Sequence, residues 1–166
     1  DVAHLWKKKR MNKLGNLRRH HIGYVMQTGG LLPYLTVREN MALSRTVLSL
    51  GHNGTVESLA RELGIARHLD KLPETLSVGE RQRVAIGRAL AHEPSIVIAD
   101  EPTASVDPFA AEKIMSLFIG LAEDRNITVV VASHAWRHIK RLGLRRLAHH
   151  THRSKDGRTT ETVVNG

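Results

Sequence analysis

Two continuous apolar runs, separated by a helical segment, constrain the fold of this chain most strongly. Residues 95–100 read SIVIAD and residues 126–133 read NITVVVAS, and each run has the length of a strand. Residues 108–124 between them are predicted to form a helix, with Pro108 in its first turn. Strands that are apolar along their whole length and alternate with helices indicate a parallel sheet that is covered on both faces. The sequence therefore predicts an α/β fold.

The chain before these runs is predicted to add one more strand and an inserted helical region. Residues 21–27 form a short β-prone run, whereas residues 1–20 are polar and basic with weak periodicity. A helical subdomain is expected from about residue 35 to 92, and Thr36 followed by Glu39 has the spacing of a capping box at its start. The helices of this subdomain are predicted over residues 38–51, 56–70 and 80–93.

Length and composition suit an ordinary globular domain with a basic surface. We expect residues 1–166 to form a single domain that ends in two short strands around a turn at 155–157. The chain has no cysteine, which excludes disulfides and thiolate metal sites. The formal net charge is +9, much of it in residues 6–21 and 136–150. These basic runs are either solvated faces or a patch for nucleic acid or an anionic membrane. Aromatic residues do not interleave with them, so a stacking platform for single strands is not expected.

Two acids follow the first apolar run at the point where the predicted strand ends. Asp100 and Glu101 would either meet a cation or cap the next helix, because a buried charge is costly unless it is paired. His134 follows the second run in the same way. Ligands bind beyond the carboxyl ends of parallel strands, so the three side chains are expected at one edge of the sheet. Two acids and an imidazole suit phosphate transfer with Mg²⁺.

A second candidate site lies just before the predicted helix that starts near residue 80. Ser77 and Gly79 stand at its start, where free N–H groups and the helix dipole attract anions. Gly79 would allow the backbone to approach a phosphate closely.

These residues together resemble the motifs of an ABC-type ATPase. The stretch LSVGERQRVAIGRALAHEPSIVIADEPTASVDP (76–108) resembles the signature motif, the Walker B strand and the D-loop of that family. IGYVMQTGGLLPYLTVRENMAL (22–43) is similar to its Q-loop, and VVVASH (129–134) to its switch-histidine strand. The sequence of these motifs looks most like that of the ATPases of the lipoprotein-release and macrolide-efflux type. The resemblance implies a P-loop NTPase-like parallel sheet with an inserted α-helical subdomain.

The resemblance also implies roles for the residues at the strand ends. Asp100 matches the aspartate that positions Mg²⁺, and Glu101 matches the general base. His134 matches the histidine on the γ-phosphate of ATP. Gln27 matches the glutamine that reaches Mg²⁺ and the attacking water, and the residues after it are expected to face a membrane permease.

Further residues are expected to act across a dimer. Ser77 and Gly79, with Glu80 beside them, match signature residues that contact ATP held mainly by a second ABC ATPase subunit, identical or different. Asp107 matches the D-loop aspartate at the dimer seam. The family resemblance implies a peripheral protein on the cytoplasmic face of the inner membrane.

The chain departs from the family pattern at the phosphate loop. No G-x-x-x-x-G-K-[ST] occurs in the 166 residues, and in the family this loop precedes the Q-loop. We expect a truncation before the Q-loop, or less simply a degenerate subunit, and weak or no ATP binding by this polypeptide alone. Val78 stands where the common signature has glycine and would be strained if its φ were positive.

Several alternatives remain open on the sequence alone. A DNA-associated ABC ATPase would carry a long coiled coil between the Q-loop and the signature, but only about 50 residues separate Gln27 from Ser77. The transporter interpretation is therefore preferred, and no nucleic-acid partner is expected. A non-catalytic subunit that lends its signature helix to another subunit's ATP is a further possibility. Three leucines could be core or a groove for a partner helix: Leu31, Leu32 and Leu35. The histidines of HHTH (149–152) fit a solvated strand better than a metal site.

Overall fold

A computed structural model describes residues 1–134, 140–153 and 160–165, and the chain divides into two compact units, Asp1–Ala135 and Trp136–Gly166. The single domain expected over residues 1–166 stays a prediction. No helix among the described residues is both long and apolar enough to span a bilayer. The helices are α1 Val2–Lys7, α2 Met11–His21, α3 Val37–Val47, α4 Thr55–Glu62, α5 Val78–Leu90 and α6 Pro108–Asp124, with 3₁₀ turns at Ala66–His68, Pro73–Thr75 and Lys140–Leu142.

A three-stranded parallel sheet forms the centre of the first unit. Its strands are β1 Ile22–Val25, β2 Ile96–Asp100 and β3 Thr128–Ala132, in the order β1-β2-β3. Both pairs of neighbours are parallel. The predicted α/β fold, with helices inserted between its first two strands, is confirmed. In register, Val25 pairs with Ala99 and Asp100 pairs with Ala132, so the three strands end at the same edge.

The expectation that both faces of the sheet are covered is wrong for the described residues. Helix α5 packs against β1 so closely that a Cβ on Gly23 would lie 2.3 Å from the carbonyl oxygen of Ala89. On the opposite face, Tyr24 and Val130 are 48% and 44% exposed. The apolar runs anticipate burial on both faces, but only one face meets the packed helices here.

Local signals set the ends of the inserted helices. Thr36 and Glu39 form the predicted capping box at the start of α3, which ends at Val47, earlier than predicted. Helix α4 also ends early, because Gly64 adopts φ +67° and the N–H of Ile65 donates to the carbonyl of Ala60. This Schellman turn breaks the helix that was predicted to run to residue 70. It also leaves Ala66 exposed.

The two ends of the chain differ in how well the sequence describes them. Helices α1 and α2 form where no element is predicted, and neither contains a buried residue. Their apolar periodicity is weak because no core shapes it. In the second unit, β4 Ala148–Arg153 and β5 Thr160–Asn165 pair antiparallel, which confirms the two predicted strands. The turn predicted at 155–157, and the side chains of the histidine cluster at 149–152, lie outside the described part of the chain.

Candidate functional site

The carboxyl edge of the sheet brings together residues from two strand ends. The Oε1 atom of Glu101 accepts a hydrogen bond from the backbone N–H of His134 at 2.6 Å. Its Oε2 atom accepts one from the Ser133 hydroxyl at 3.0 Å. The imidazole Nε2 of His134 lies 3.7 Å from Glu101 Oε1 and the ring is otherwise fully exposed. Glu101 and His134 therefore meet at one edge, as the sequence predicts.

Glu101 leaves β2 in an unusual backbone conformation. Its φ is +44°, a left-handed value that is uncommon for a residue other than glycine. The N–H of Glu101 donates to the carbonyl of Ala132 at 2.8 Å, so the ladder between β2 and β3 continues through the turn. Strain of this kind persists where surrounding contacts hold it. Here those contacts hold the carboxylate against the end of β3.

Asp100 ends β2 with a free carboxylate. It is exposed and makes no hydrogen bond or ion pair to any residue that the structure describes. The proposal that these acids cap the next helix is wrong, because Asp107 is the N-cap of α6 and accepts from the N–H of Ala110 at 3.0 Å. The Asp100 carboxylate is thus open to a cation from solvent. No three acids or histidines among the described side chains form a metal cage.

Gln27 lies at the same edge, two residues beyond the end of β1. Its side chain is exposed and makes no hydrogen bond to a described residue. The loop after it rests on Asn40 of α3, which is fully buried and whose side-chain amide donates to the carbonyls of Leu32 and Leu35. The three leucines of this loop are half-buried, whereas Tyr34 is 73% exposed. The loop is therefore held from below and presents its tip to solvent.

The start of α5 forms the second part of the site. Ser77 is its N-cap, and its hydroxyl accepts from the N–H of Glu80 at 3.3 Å. Gly79 lies inside the first turn without a positive φ, and an added Cβ would have ordinary contacts, 3.5 Å or more from its neighbours. Val78 has no positive φ either, so the backbone strain that a positive φ would cause at this position does not arise. The exposed helix start keeps the geometry of an anion site.

Glu80 is occupied within the chain. Its Oε2 accepts from the Ser77 N–H at 2.9 Å and from the Ser77 hydroxyl at 2.8 Å. Its Oε1 lies 2.9 Å from Nε2 of His68, which is buried. Hydrogen bonds from the Ser77 backbone and hydroxyl, reinforced by His68, lower the pKa of Glu80 from 4.5 to about 2. Glu80 thus acts as a capping residue, and its assignment to the cofactor-binding set stays a prediction.

Three residues that complete these arrangements are not among the predicted site residues. They are Ser133 beside Glu101, His68 beside Glu80, and Arg88, whose guanidinium binds the loop after Gln27. Only Ser133 carried a signal, since it directly precedes a predicted site residue at a strand end.

The motifs on this edge and on α5 agree with a comparison against known families. A family model described as "ABC transporter" matches residues 4–104, more than half of the chain. The chain belongs to this family. The match starts before β1, so the basic amino-terminal segment is part of the family domain.

Individual ABC proteins support the same conclusion. The ATP-binding protein LolD of the lipoprotein-releasing system from Rickettsia felis is 35% identical over 121 residues, which cover 71% of this chain and 55% of that protein. The macrolide export ATP-binding/permease protein MacB of Rhodopirellula baltica is 38% identical over 127 residues, covering 74% and 19%. A solved dimeric ATP-binding cassette in a post-hydrolysis state, with ADP and Pi bound, aligns with a TM-score of 0.67 and 36% identity, covering 76% of this chain and 58% of that one. The chain thus spans about half the length of the curated LolD that it matches.

Proposed function

We propose that this chain belongs to the ATP-hydrolysing subunit of an ABC transporter, which works at the cytoplasmic face of the inner membrane and drives a membrane permease. The observation that supports this most is the pair of unlike acids at the carboxyl edge. Glu101 is fixed by the His134 N–H and the Ser133 hydroxyl, whereas Asp100 is left free. A fixed acid suits proton abstraction and a free one suits a cation.

In this proposal each residue at the edge has one task. Glu101 accepts a proton from the attacking water. Its two hydrogen bonds fix the orientation of the carboxylate. Asp100, with Gln27, would hold Mg²⁺, which when bound neutralises charge on the phosphate oxygens. The exposed imidazole of His134 would contact the γ-phosphate of ATP.

The start of α5 would serve a second ABC subunit. Ser77 and Gly79 would contact the γ-phosphate of ATP held by that subunit, identical or different, at the positive end of the α5 helix dipole. Asp107 would lie at the seam between the two subunits. Space for a Cβ at Gly79 supports this, since glycine there is not required by the fold of this chain.

A second candidate is a subunit that only lends the start of α5 to its partner's ATP. These 166 residues contain the exposed start of α5 but no glycine-rich phosphate loop, the element that would grip the nucleotide. For the same reason we propose that the 166-residue chain alone binds ATP weakly or not at all.

Substitution of Asp100 separates the two candidates. In the natural protein that carries this chain, Asp100→Asn should weaken the affinity of the site for Mg²⁺, so that a higher Mg²⁺ concentration is needed for the half-maximal rate of hydrolysis. Asp124→Asn, at the exposed end of α6, is the matched control and should leave that concentration unchanged. Full hydrolysis in Asp100→Asn at unchanged Mg²⁺ would favour the non-catalytic candidate, whose ATP is bound and hydrolysed elsewhere.

A further inference from the structure

The guanidinium of Arg88 joins two parts of the molecule that the proposed function treats separately. Arg88 lies in α5, three turns after its N-cap Ser77. Its two terminal nitrogens donate to the carbonyls of Gly29 and Gly30, each at 2.7 Å. Those carbonyls belong to the loop after Gln27. One side chain therefore spans from the helix that begins at the anion site to the loop that is expected to face the permease.

The loop is shaped to receive this side chain. Gly29 and Gly30 have φ values of +73° and +55°, so two consecutive residues adopt the left-handed conformation. A Cβ on Gly30 would also come within 2.8 Å of the sulfur of Met26. Glycine is the residue that adopts such values without steric cost. The turn brings both carbonyl oxygens to a single planar donor.

The hydrogen bonds of Arg88 to the loop carry a cost, because the charged guanidinium loses part of its contact with water. Burial lowers the pKa of Arg88, although a guanidinium stays charged at any ordinary pH. Arg88 is half-buried and forms no ion pair with a residue that the structure describes, so the protein offsets its desolvation with the dipoles of the two carbonyls. Apolar side chains of similar volume often stabilise a fold as well as a buried charge does. What the charge adds is a fixed, two-point geometry.

Two other contacts make α5 and the start of the loop one body. The backbone of β1 touches α5 directly at Gly23, where a Cβ would lie 2.3 Å from the Ala89 carbonyl. The buried amide of Gln82 lies 3.5 Å from the carbonyl of Met26. Arg88 extends this attachment to the far side of Gln27.

We propose that Arg88 is a positioning residue that holds the loop after Gln27 and α5 in one fixed relation, so that displacement of the loop moves Ser77. This inference rests on the proposed function. It explains how a permease bound to the loop would affect the ATP site that two subunits share. It does so through contacts within this chain alone.

Arg45 provides a matched control. Like Arg88, which is half-buried, the buried Arg45 donates to two backbone carbonyls, those of Ala91 at 2.9 Å and Gly51 at 2.7 Å. It also lies 4.0 Å from Oε1 of the exposed Glu93. It ties α3 to the end of α5 and does not bind the carbonyls of Gly29 and Gly30. Loss of Arg45 should lower stability as much as loss of Arg88 without freeing the loop.

A distance measurement tests the link without ATP or permease. Because the chain has no cysteine, spin labels at Tyr34→Cys and Val78→Cys mark the loop and the start of α5 alone, both at exposed positions. Pulsed electron spin resonance should give one narrow distance distribution in the wild type. Arg88→Gln should roughly double its width, since a loop released from a single well samples a wider range. Arg88→Lys, which keeps a single donor group, should fall between them.

Arg45→Gln should leave the distribution narrow. Equal broadening in Arg45→Gln, or no broadening in Arg88→Gln, overturns the proposal. If Arg88→Gln does not fold, Arg88→Lys against Arg45→Lys gives the same comparison.

The natural protein with its permease provides the functional measurement. Arg88→Gln should reduce the stimulation of ATP hydrolysis by the permease about fivefold, the low end of typical coupling between sites, with an unchanged KM for ATP. Unchanged stimulation overturns the coupling role. A wild type that hydrolyses no ATP defeats the proposed function instead, and the spin-label comparison still decides whether Arg88 links the loop to α5.

Discussion

The carboxylate of Glu101 accepts a hydrogen bond from the backbone N–H of His134 at 2.6 Å, and this bond joins the ends of two neighbouring parallel strands. The donor is the main chain of His134, so the orientation of the carboxylate does not depend on the imidazole. Each residue can therefore be altered separately.

Removal of the His134 imidazole should affect hydrolysis alone. In His134→Ala the backbone N–H stays in place, and the lost ring is fully exposed, so the melting temperature should not change. In the natural protein that carries this chain, we expect ATP hydrolysis to fall by about 10²-fold, the usual loss for one charge-stabilising group. Steady-state kinetics and a thermal scan measure the two effects. Unchanged hydrolysis would show that the imidazole has no part in the reaction.

Gly79→Ala should separate stability from function in the opposite direction. The helical position has room for a Cβ, so the variant should be more stable by about 0.5 kcal/mol, the usual gain over glycine in a helix. The added methyl group should nevertheless keep a phosphate away from the start of α5, so the ATP-dependent dimerisation of the natural protein that carries this chain should weaken. Denaturant unfolding and analytical ultracentrifugation with ATP report the two changes. If Gly79→Ala is more stable than the wild type but dimerises with ATP equally well, the start of α5 binds no phosphate.

Glu80 should contribute a pH-dependent part of the stability. The hydrogen bond from the Ser77 backbone is the main reason that the pKa of Glu80 is lowered to about 2 in the folded chain. The contribution of Glu80 to the free energy of unfolding is therefore complete above the unfolded pKa of 4.5, and it is lost as the pH falls through about 2. Glu80→Gln keeps an acceptor for the capping box but has no charge to lose. The difference in unfolding free energy between the two proteins should therefore shrink between pH 5 and pH 2, by about 1 kcal/mol as is typical of a cap.

Denaturant unfolding of both proteins at several pH values measures this difference. Glu74→Gln, at an exposed position in the preceding turn, is the control. A constant difference between the wild type and Glu80→Gln over that range would show that the bond from Ser77 does not favour the charged form.

Local sequence signals predicted the elements and the edge, but not their surroundings. Thr36 and Glu39 predicted the start of α3 because a capping box depends only on residues three apart. Asp100, Glu101 and His134 were predicted at one edge because parallel strands end together. Helix α2 escaped prediction because it buries no residue.

Contacts between distant segments could not be predicted in this way. Ser133 and Glu101 are 32 residues apart, and nothing local to either one indicates the hydrogen bond between them. His68 meets Glu80 only because the chain turns at Gly64 and again at Pro73. The exposed face around Tyr24 is likewise a property of packing, since an apolar strand gives the same pattern whether or not that face is covered.

Glu101→Gln in the natural protein that carries this chain tests the account most directly. Glutamine keeps the size of the side chain, and its single oxygen can accept from the His134 N–H while its NH₂ group can donate to the Ser133 hydroxyl oxygen. It cannot take a proton from water. Glu123→Gln, at an exposed position in α6, is the matched control. We predict that hydrolysis in Glu101→Gln falls by about 10²–10⁴-fold, the range for loss of a general base, with ATP affinity retained. Hydrolysis at the rate of the wild type and of Glu123→Gln would contradict the assignment of Glu101 as the base.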